Sequence, residues 1–168
     1  RIGNMSERIK KSGLRLEGMF EMHIVFVTTE LATSNHSSGG LASFTANMAR
    51  IFAANGHKVT IVLAATRDEK LVFEDDIRLE TTFIPKSIWG LFDKLGKICV
   101  FGKKENAAET RRFFVNIYKS EQVRREIKKI DKKNKVDIVH YCNLGALAFR
   151  AGNDIPYVIR LSSFMNMG

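Results

Sequence analysis

The chain has 168 residues, of which 45% are hydrophobic and 27% are charged, and its formal net charge is +9. This length and composition predict one core of ordinary domain size, and no apolar run approaches the ~20 residues that span a bilayer. Because no apolar signal segment precedes the first predicted strand, we expect a cytoplasmic protein. Cys99 and Cys142 lie far apart without metal-ligand spacing, which favours a reducing compartment and argues against a zinc site.

Residues 1–21 are polar and basic, and the pattern of a folded domain begins at Met22. We interpret residues 1–21 as an N-terminal extension, for which three origins remain open: an expression remnant, an upstream translation start, or a short helix over 6–16. Residues 22–168 are predicted to form one domain.

A strand, a helix and a second strand are predicted between residues 23 and 63. The apolar run at 23–29 does not alternate, which is typical of a parallel strand covered on both faces. A helix follows Gly39-Gly40, capped by Ser37 or Ser38 and closed by Asn55-Gly56, and strand character resumes at 58–63. The helix has an apolar stripe at helical spacing, made of Leu41, Phe44, Met48, Ile51 and Phe52.

The glycine pair at the start of this helix has two interpretations. Backbone N–H groups at a helix N-terminus attract anions, and adjacent glycines leave them unshielded, so Gly39 and Gly40 can bind phosphate. Alternatively, the glycines only permit a tight turn and close packing of the helix on the strand. The pair alone does not decide between these two interpretations.

Later segments continue the alternation of strands and helices. Residues 77–84 predict a third strand with Ile77, Leu79, Thr81 and Phe83 on one face, and 105–133 predict a helical region that Ser120 breaks into two. A fourth strand is predicted at 137–140, a small helix at 143–151 and a fifth strand at 156–161. The fold class is therefore α/β, with a Rossmann-like, doubly wound parallel sheet.

Ligands of such sheets bind beyond the carboxyl ends of the strands. This rule nominates three clusters: the loop ending in Gly39-Gly40, residues 140–143 after the fourth strand, and residues 160–163 after the fifth. We expect all three to meet at one edge of the sheet.

The positive charge is concentrated between residues 86 and 135, where fifteen Lys or Arg stand against six acids. Within 86–104, Trp89 and other apolar residues are interleaved with Lys94 and Lys97, a pattern that suits contact with an anionic membrane surface. The alternative is that the apolar residues pack on their own domain while the lysines are solvated. Nucleic acid is a weaker candidate partner because no recognition helix or stacking platform accompanies the charge.

The order of these motifs resembles the amino-terminal domain of family 4 glycosyltransferases, which are two-domain enzymes of the GT-B fold. The resemblance runs from Met22 to about Leu161 and rests on MHIVFVTTE, a polar loop ending in GG, NGHKVTIV, DIVH and IPYVIRL. It implies transfer of a sugar from a nucleotide-sugar donor to a glycan or lipid-linked acceptor, with retention of configuration and without a metal or other cofactor.

In the family, the amino-terminal domain mainly holds the acceptor, and a second domain binds most of the donor and carries a pair of glutamates. No segment of this chain matches that second domain, so we expect the chain alone to be an inactive fragment that lacks a final helix of its own domain. A lipid-linked acceptor would place the enzyme at the inner face of the membrane.

The resemblance also assigns residues. Gly39 and Gly40 match the glycines that approach the donor phosphates. His140 matches a histidine common after the fourth strand and is nominated as catalytic, with a strand-end histidine hydrogen-bonded to the backbone as the equal alternative. Ser162 takes the position where many relatives place a catalytic histidine, and Cys142 replaces a second histidine that often follows the first. For substrate contacts we nominate Glu30, Asn143 and Arg160. Two alternatives stay open: Glu30 could only solvate its loop, and Arg160 could form a structural ion pair with Asp137 or Asp154.

Two other function classes compete with sugar transfer. A non-catalytic Rossmann-like module could bind a membrane or a partner protein through the basic 86–135 region. A dinucleotide-dependent oxidoreductase is disfavoured, because the turn has GG instead of G-x-G-x-x-G and the second strand runs into 63–66 without an acid for the ribose.

Overall fold

A computed structural model describes most of the predicted domain. The described residues are 20–32, 39–65, 73–74, 76–98 and 104–161. Ser37, Ser38 and Ser162, which the sequence nominated as caps and as a catalytic residue, lie outside these ranges.

Five parallel strands form one sheet in the order β3-β2-β1-β4-β5. All six residues of the central strand are buried. This arrangement confirms the predicted α/β, Rossmann-like sheet. The strands are β1 His23–Thr28, β2 Lys58–Ala64, β3 Arg78–Thr82, β4 Ile138–Cys142 and β5 Tyr157–Arg160.

The described helices are α1 Gly40–Ala54, α2 Lys86–Ile98, α3 Lys104–Lys133 and a short 3-10 helix, Leu144–Ala146. Successive residues of β1 point to opposite faces of the sheet. Phe26 packs in a core that includes Ala46 and Ala49 of α1, whereas Val25 packs in a second core with Val123 of α3. The sheet is therefore covered by α1 on one face and by α3 on the other.

Helix α1 lies close to the sheet because its innermost side chains are small. Ala42, Thr45, Ala46 and Ala49 are buried. The larger residues of the predicted stripe, among them Phe44, flank this row and are only partly buried. The N-cap residue of the helix is Gly39, so the predicted cap at Ser37 or Ser38 is wrong. The helix ends at Ala54, followed by Asn55 and by Gly56, whose φ of +85° suits glycine.

The prediction that Ser120 divides the helical region is wrong, because α3 runs through it without a break. Ser120 is fully buried, and its hydroxyl donates to the Leu147 carbonyl at 3.0 Å and accepts from the Arg150 N–H at 2.6 Å. Its side chain thus joins α3 to the β4–β5 connection instead of capping a new helix.

The amino-terminal half of α3 extends beyond the sheet. A 30-residue helix is about 45 Å long, whereas the seven residues of β2 span about 23 Å. Val123, Ile127 and Ile130 of its second half lie in the sheet core, but Val115 packs with Phe92 of α2 in a separate cluster. The α2–α3 pair therefore stands beside the carboxyl edge of the sheet.

Three predicted elements differ from the structure by more than one residue at an end or in the type of helix. Strand β4 continues to Cys142, so His140 lies inside the strand and not at its end. Phe83, predicted within the third strand, follows the end of β3 and is 42% exposed. The predicted helix at 143–151 is a 3-10 helix followed by turns, because Gly145 and Ala146 have φ values of +69° and +49°, which no α-helix accommodates.

Replacing Ser120 by Ala tests the junction between α3 and the β4–β5 connection. The variant leaves the Leu147 carbonyl and the Arg150 N–H without this partner, and we expect the free energy of unfolding to fall by roughly 1–3 kcal/mol. Chemical denaturation measures the change. Ser87→Ala, at an exposed position of α2, is the control and should change stability little. Equal stability of both variants and the wild type would contradict a structural role for the Ser120 bonds.

Candidate functional site

The carboxyl edge of the sheet brings together residues that are distant in sequence. The Arg160 guanidinium, at the end of β5, lies with its Cζ atom 3.4 Å from the ring centroid of Phe44 in α1. The His140 ring of β4 has its centroid 6.2 Å from that of Phe44. A Cβ atom on Gly39 would lie 3.8 Å from the Glu30 carboxylate, beyond the end of β1. The predicted convergence of the three nominated loops is thus seen for their described residues.

The fold does not require glycine at the start of α1. Gly39 has an ordinary φ of −59°, and Gly40 has none of the positive φ values that favour glycine. Among the described residues, a Cβ atom at Gly40 would meet nothing within 4 Å, and the contact of a Cβ at Gly39 with Glu30 would be of normal length. Within this part of the chain, neither a positive φ nor close packing therefore explains the pair.

The N-terminus of α1 is suited to an anion. The first helical hydrogen bond runs from the Ser43 N–H to the Gly39 carbonyl, so the N–H groups of residues 40–42 have no acceptor within the helix. No acidic residue occupies the first turn, and Gly39 and Gly40 are both exposed. Among the described residues, the positive end of the helix dipole is thus exposed, with the Glu30 carboxylate beside Gly39.

His140 is a half-buried histidine in an aromatic cluster. Its ring centroid lies 5.2 Å from that of Phe26, beneath Phe44. Burial lowers the pKa of His140, and the nearby charge of Arg160 lowers this pKa further. The imidazole is therefore neutral near pH 7, and a neutral ring can accept a proton or a hydrogen bond from a hydroxyl group.

Arg160 does not form either of the structural ion pairs considered from the sequence. The Asp137 carboxylate accepts a hydrogen bond from the His23 N–H at 2.7 Å, at the opposite end of the sheet. Asp154 lies 3.5 Å from the Lys128 ammonium group. The Nη1 atom of Arg160 is buried and has no hydrogen-bond partner. The guanidinium is thus held by an aromatic ring and not by a carboxylate of the described chain.

The other nominated residues line the same edge. Glu30 is exposed, and its carbonyl accepts a hydrogen bond from the Thr28 hydroxyl at 2.8 Å. Asn143 is partly buried and directly precedes the 3-10 helix. Burial raises the pKa of Cys142, so its thiol stays protonated at neutral pH. Among the described residues, no group of three or more His, Cys, Asp or Glu could hold a metal ion.

Phe44 is the site residue that sequence analysis missed. It was assigned to the buried stripe of α1, and nothing in the local pattern distinguishes it from its apolar neighbours. Its position one turn into α1 places its ring against both His140 and Arg160, which come from strands far along the chain. Only the order of the strands in the sheet makes this contact visible.

Helix α2 packs on its own domain through part of the apolar surface that suggested a membrane contact. Trp89 is partly buried and packs with Phe92 against α3. Lys94 is exposed, and the side chain of Lys97 lies outside the described set. Leu91 remains 53% exposed beside them. Within the described ranges, no helix is long and apolar enough to cross a membrane.

Comparison with known proteins gives no family assignment. No protein-family model and no curated protein matches this chain.

The environment of His140 predicts a pH dependence of stability. A folded-state pKa below the ordinary 6.5 means that the unfolded chain binds the proton more readily. We therefore expect His140 to lower stability as the pH falls through 6.5, with the loss levelling off below the folded-state pKa. His140→Phe should show a weaker loss between pH 8 and pH 5 in chemical denaturation.

The other histidines contribute equally to the pH dependence of both proteins, so the difference between wild type and variant reports on His140. An NMR titration of the His140 ring provides a direct check, with a midpoint expected below 6.5. A midpoint at or above that value would contradict the burial of a neutral imidazole.

Proposed function

We propose that this chain is the acceptor-side domain of a retaining glycosyltransferase that uses a nucleotide-sugar donor. The observation that carries the proposal is the pair of exposed glycines, Gly39 and Gly40, at the open N-terminus of α1, where the backbone geometry gives no reason for glycine. Glycine is then explained by a ligand that must approach the backbone closely. A diphosphate is such a ligand, since it gains from both the N–H groups and the helix dipole.

The acceptor would lie beside the diphosphate, over β4 and β5. In this proposal the neutral His140 accepts a hydrogen bond from an acceptor hydroxyl, and the exposed Glu30 and the partly buried Asn143 contact further hydroxyl groups. Ser162 takes the position at which relatives carry a catalytic histidine, and it can donate a hydrogen bond to the donor sugar. A second domain would supply the remaining donor contacts, so that reaction requires both walls of a cleft.

Replacing both glycines by alanine tests whether the glycine pair binds a diphosphate. We expect Gly39→Ala combined with Gly40→Ala to raise the Kd for UDP, ADP or pyrophosphate at least tenfold, as measured by calorimetry or NMR titration. The physical reason is that each Cβ atom holds the diphosphate away from the backbone N–H groups. Stability should change by no more than about 1 kcal/mol, since the substitutions introduce no clash.

Gly90→Ala is the matched control, because Gly90 lies in α2 and a Cβ atom there also meets open space. It should leave diphosphate binding unchanged. The proposal is wrong if the wild type binds none of the three probes, or if the double variant and Gly90→Ala bind them equally well.

A second candidate is a module that docks on an anionic membrane through the α2–α3 pair. It is favoured by two exposed apolar side chains in the basic region, Leu91 at 53% and Phe113 at 56%. Together with neighbouring lysines, these side chains could enter the headgroup layer. Such docking is compatible with a transferase that acts on a lipid-linked acceptor.

Flotation with liposomes tests this candidate. If docking occurs, Leu91→Glu combined with Lys94→Glu should reduce binding to anionic liposomes at least fivefold, because it removes apolar contact and reverses a charge. Both side chains are exposed, so the fold should tolerate the changes. Lys135→Glu, exposed beyond the far end of α3, is the control. Absence of wild-type binding, or equal binding by both variants, would exclude membrane docking through this surface.

A further inference from the structure

Arg160 carries a positive charge that the described chain leaves without an anionic partner. Guanidinium stays charged at every accessible pH and has five N–H donors in one plane. The Nη1 atom of Arg160 is buried without a hydrogen-bond partner, and Arg160 takes part in none of the ion pairs between described residues. Such a buried group is unfavourable unless something pairs with it.

Among the described residues, no carboxylate pairs with this guanidinium. Asp137 and Asp154 bind other groups, and Glu30 is exposed and forms no ion pair with Arg160 among the described residues. Segments 33–38 and 162–168, which follow β1 and β5, contain no Asp or Glu in the sequence. Neither the described residues nor segments 33–38 and 162–168 therefore supply an anion that complements Arg160.

Phe44 orients the guanidinium but does not replace an anion. With Cζ only 3.4 Å from the ring centroid, the guanidinium lies against the ring face and gains a cation–π interaction. Planar N–H donors stacked on a ring point past its edge, where an oxyanion can accept two of them side by side. The ring thus fixes a fork of donors before any ligand arrives.

We propose that Arg160 binds an oxyanion carried by the acceptor, so that the acceptor is an anionic sugar or a lipid with a phosphate headgroup. This inference rests on the proposed function. The donor diphosphate is assigned to the backbone N–H groups at Gly39-Gly40, which supply its donors. Arg160 lies on β5, and β4 with His140 lies between β5 and β1. The anion at Arg160 is assigned to the other substrate, whose hydroxyl would face His140, and UDP binding by Arg160→Gln separates this assignment from a second contact to the diphosphate.

Titrations with matched charged and neutral probes test this assignment on the 168-residue chain. The soluble probes are glucose 6-phosphate, glucuronate and uncharged glucose, and the lipid probe is a phosphatidylcholine vesicle with or without phosphatidate. We expect Arg160→Gln to raise the Kd of at least one anionic probe tenfold or more, while UDP binding is retained. Arg160→Lys keeps the charge but loses the planar fork, so its binding should be intermediate.

Arg78→Gln is the control, because Arg78 lies on the opposite edge strand and pairs there with Glu80. It should bind every probe as the wild type does.

Preference for the soluble probes would indicate a glycan acceptor, whereas preference for phosphatidate vesicles would indicate a lipid acceptor. Either result supports the assignment. It is overturned if no anionic probe binds, if glucose binds as tightly as the anions, or if Arg160→Gln and Arg78→Gln have equal effects. If the wild type binds UDP in those cases, the proposed function still stands. If the wild type does not bind UDP, the proposed function and the assignment of Arg160 both fail.

Discussion

The parallel pairing of β1 with β2 on one side and β4 on the other is the constraint on which the rest of the structure depends. Because β1 is buried on both faces, the chain must supply a helix for each face, and α1 and α3 do so through separate cores. Parallel pairing also brings the carboxyl ends of all five strands to one edge. Glu30, His140 and Arg160 share a neighbourhood for this reason, although more than 100 residues separate Glu30 from the other two.

The parts of the fold that local patterns determine were predicted from the sequence. The apolar run of β1 identified a strand covered on both faces, and Gly56 marked the end of α1 because a positive φ is needed there. The failures have tertiary causes. Ser120 resembles a helix cap in the sequence, but its hydroxyl bonds to the β4–β5 connection in the folded chain. Likewise, β4 continues past His140 because pairing with β1 and β5 extends it.

The residues of the candidate site were visible in the sequence, but their contacts depend on tertiary structure. Adjacent glycines are visible in a sequence, but whether the fold needs them depends on φ values and on the space around each Cβ atom, and here neither requires glycine. For Arg160 the sequence left an anionic ligand and a structural ion pair equally plausible. The structure removes the two named ion-pair partners and adds Phe44, whose contact with Arg160 depends on the position of β5 beside β4.

The central claim is that the backbone at the start of α1 binds the diphosphate of a nucleotide-sugar. The most direct measurement is an NMR map of backbone amide shifts during titration with UDP, ADP and GDP. We predict that the largest shifts fall on the amides of residues 39–42, and that nucleoside monophosphates shift them less. Shifts centred on the basic surface of α3, or equal responses to inorganic phosphate everywhere on the chain, would contradict it.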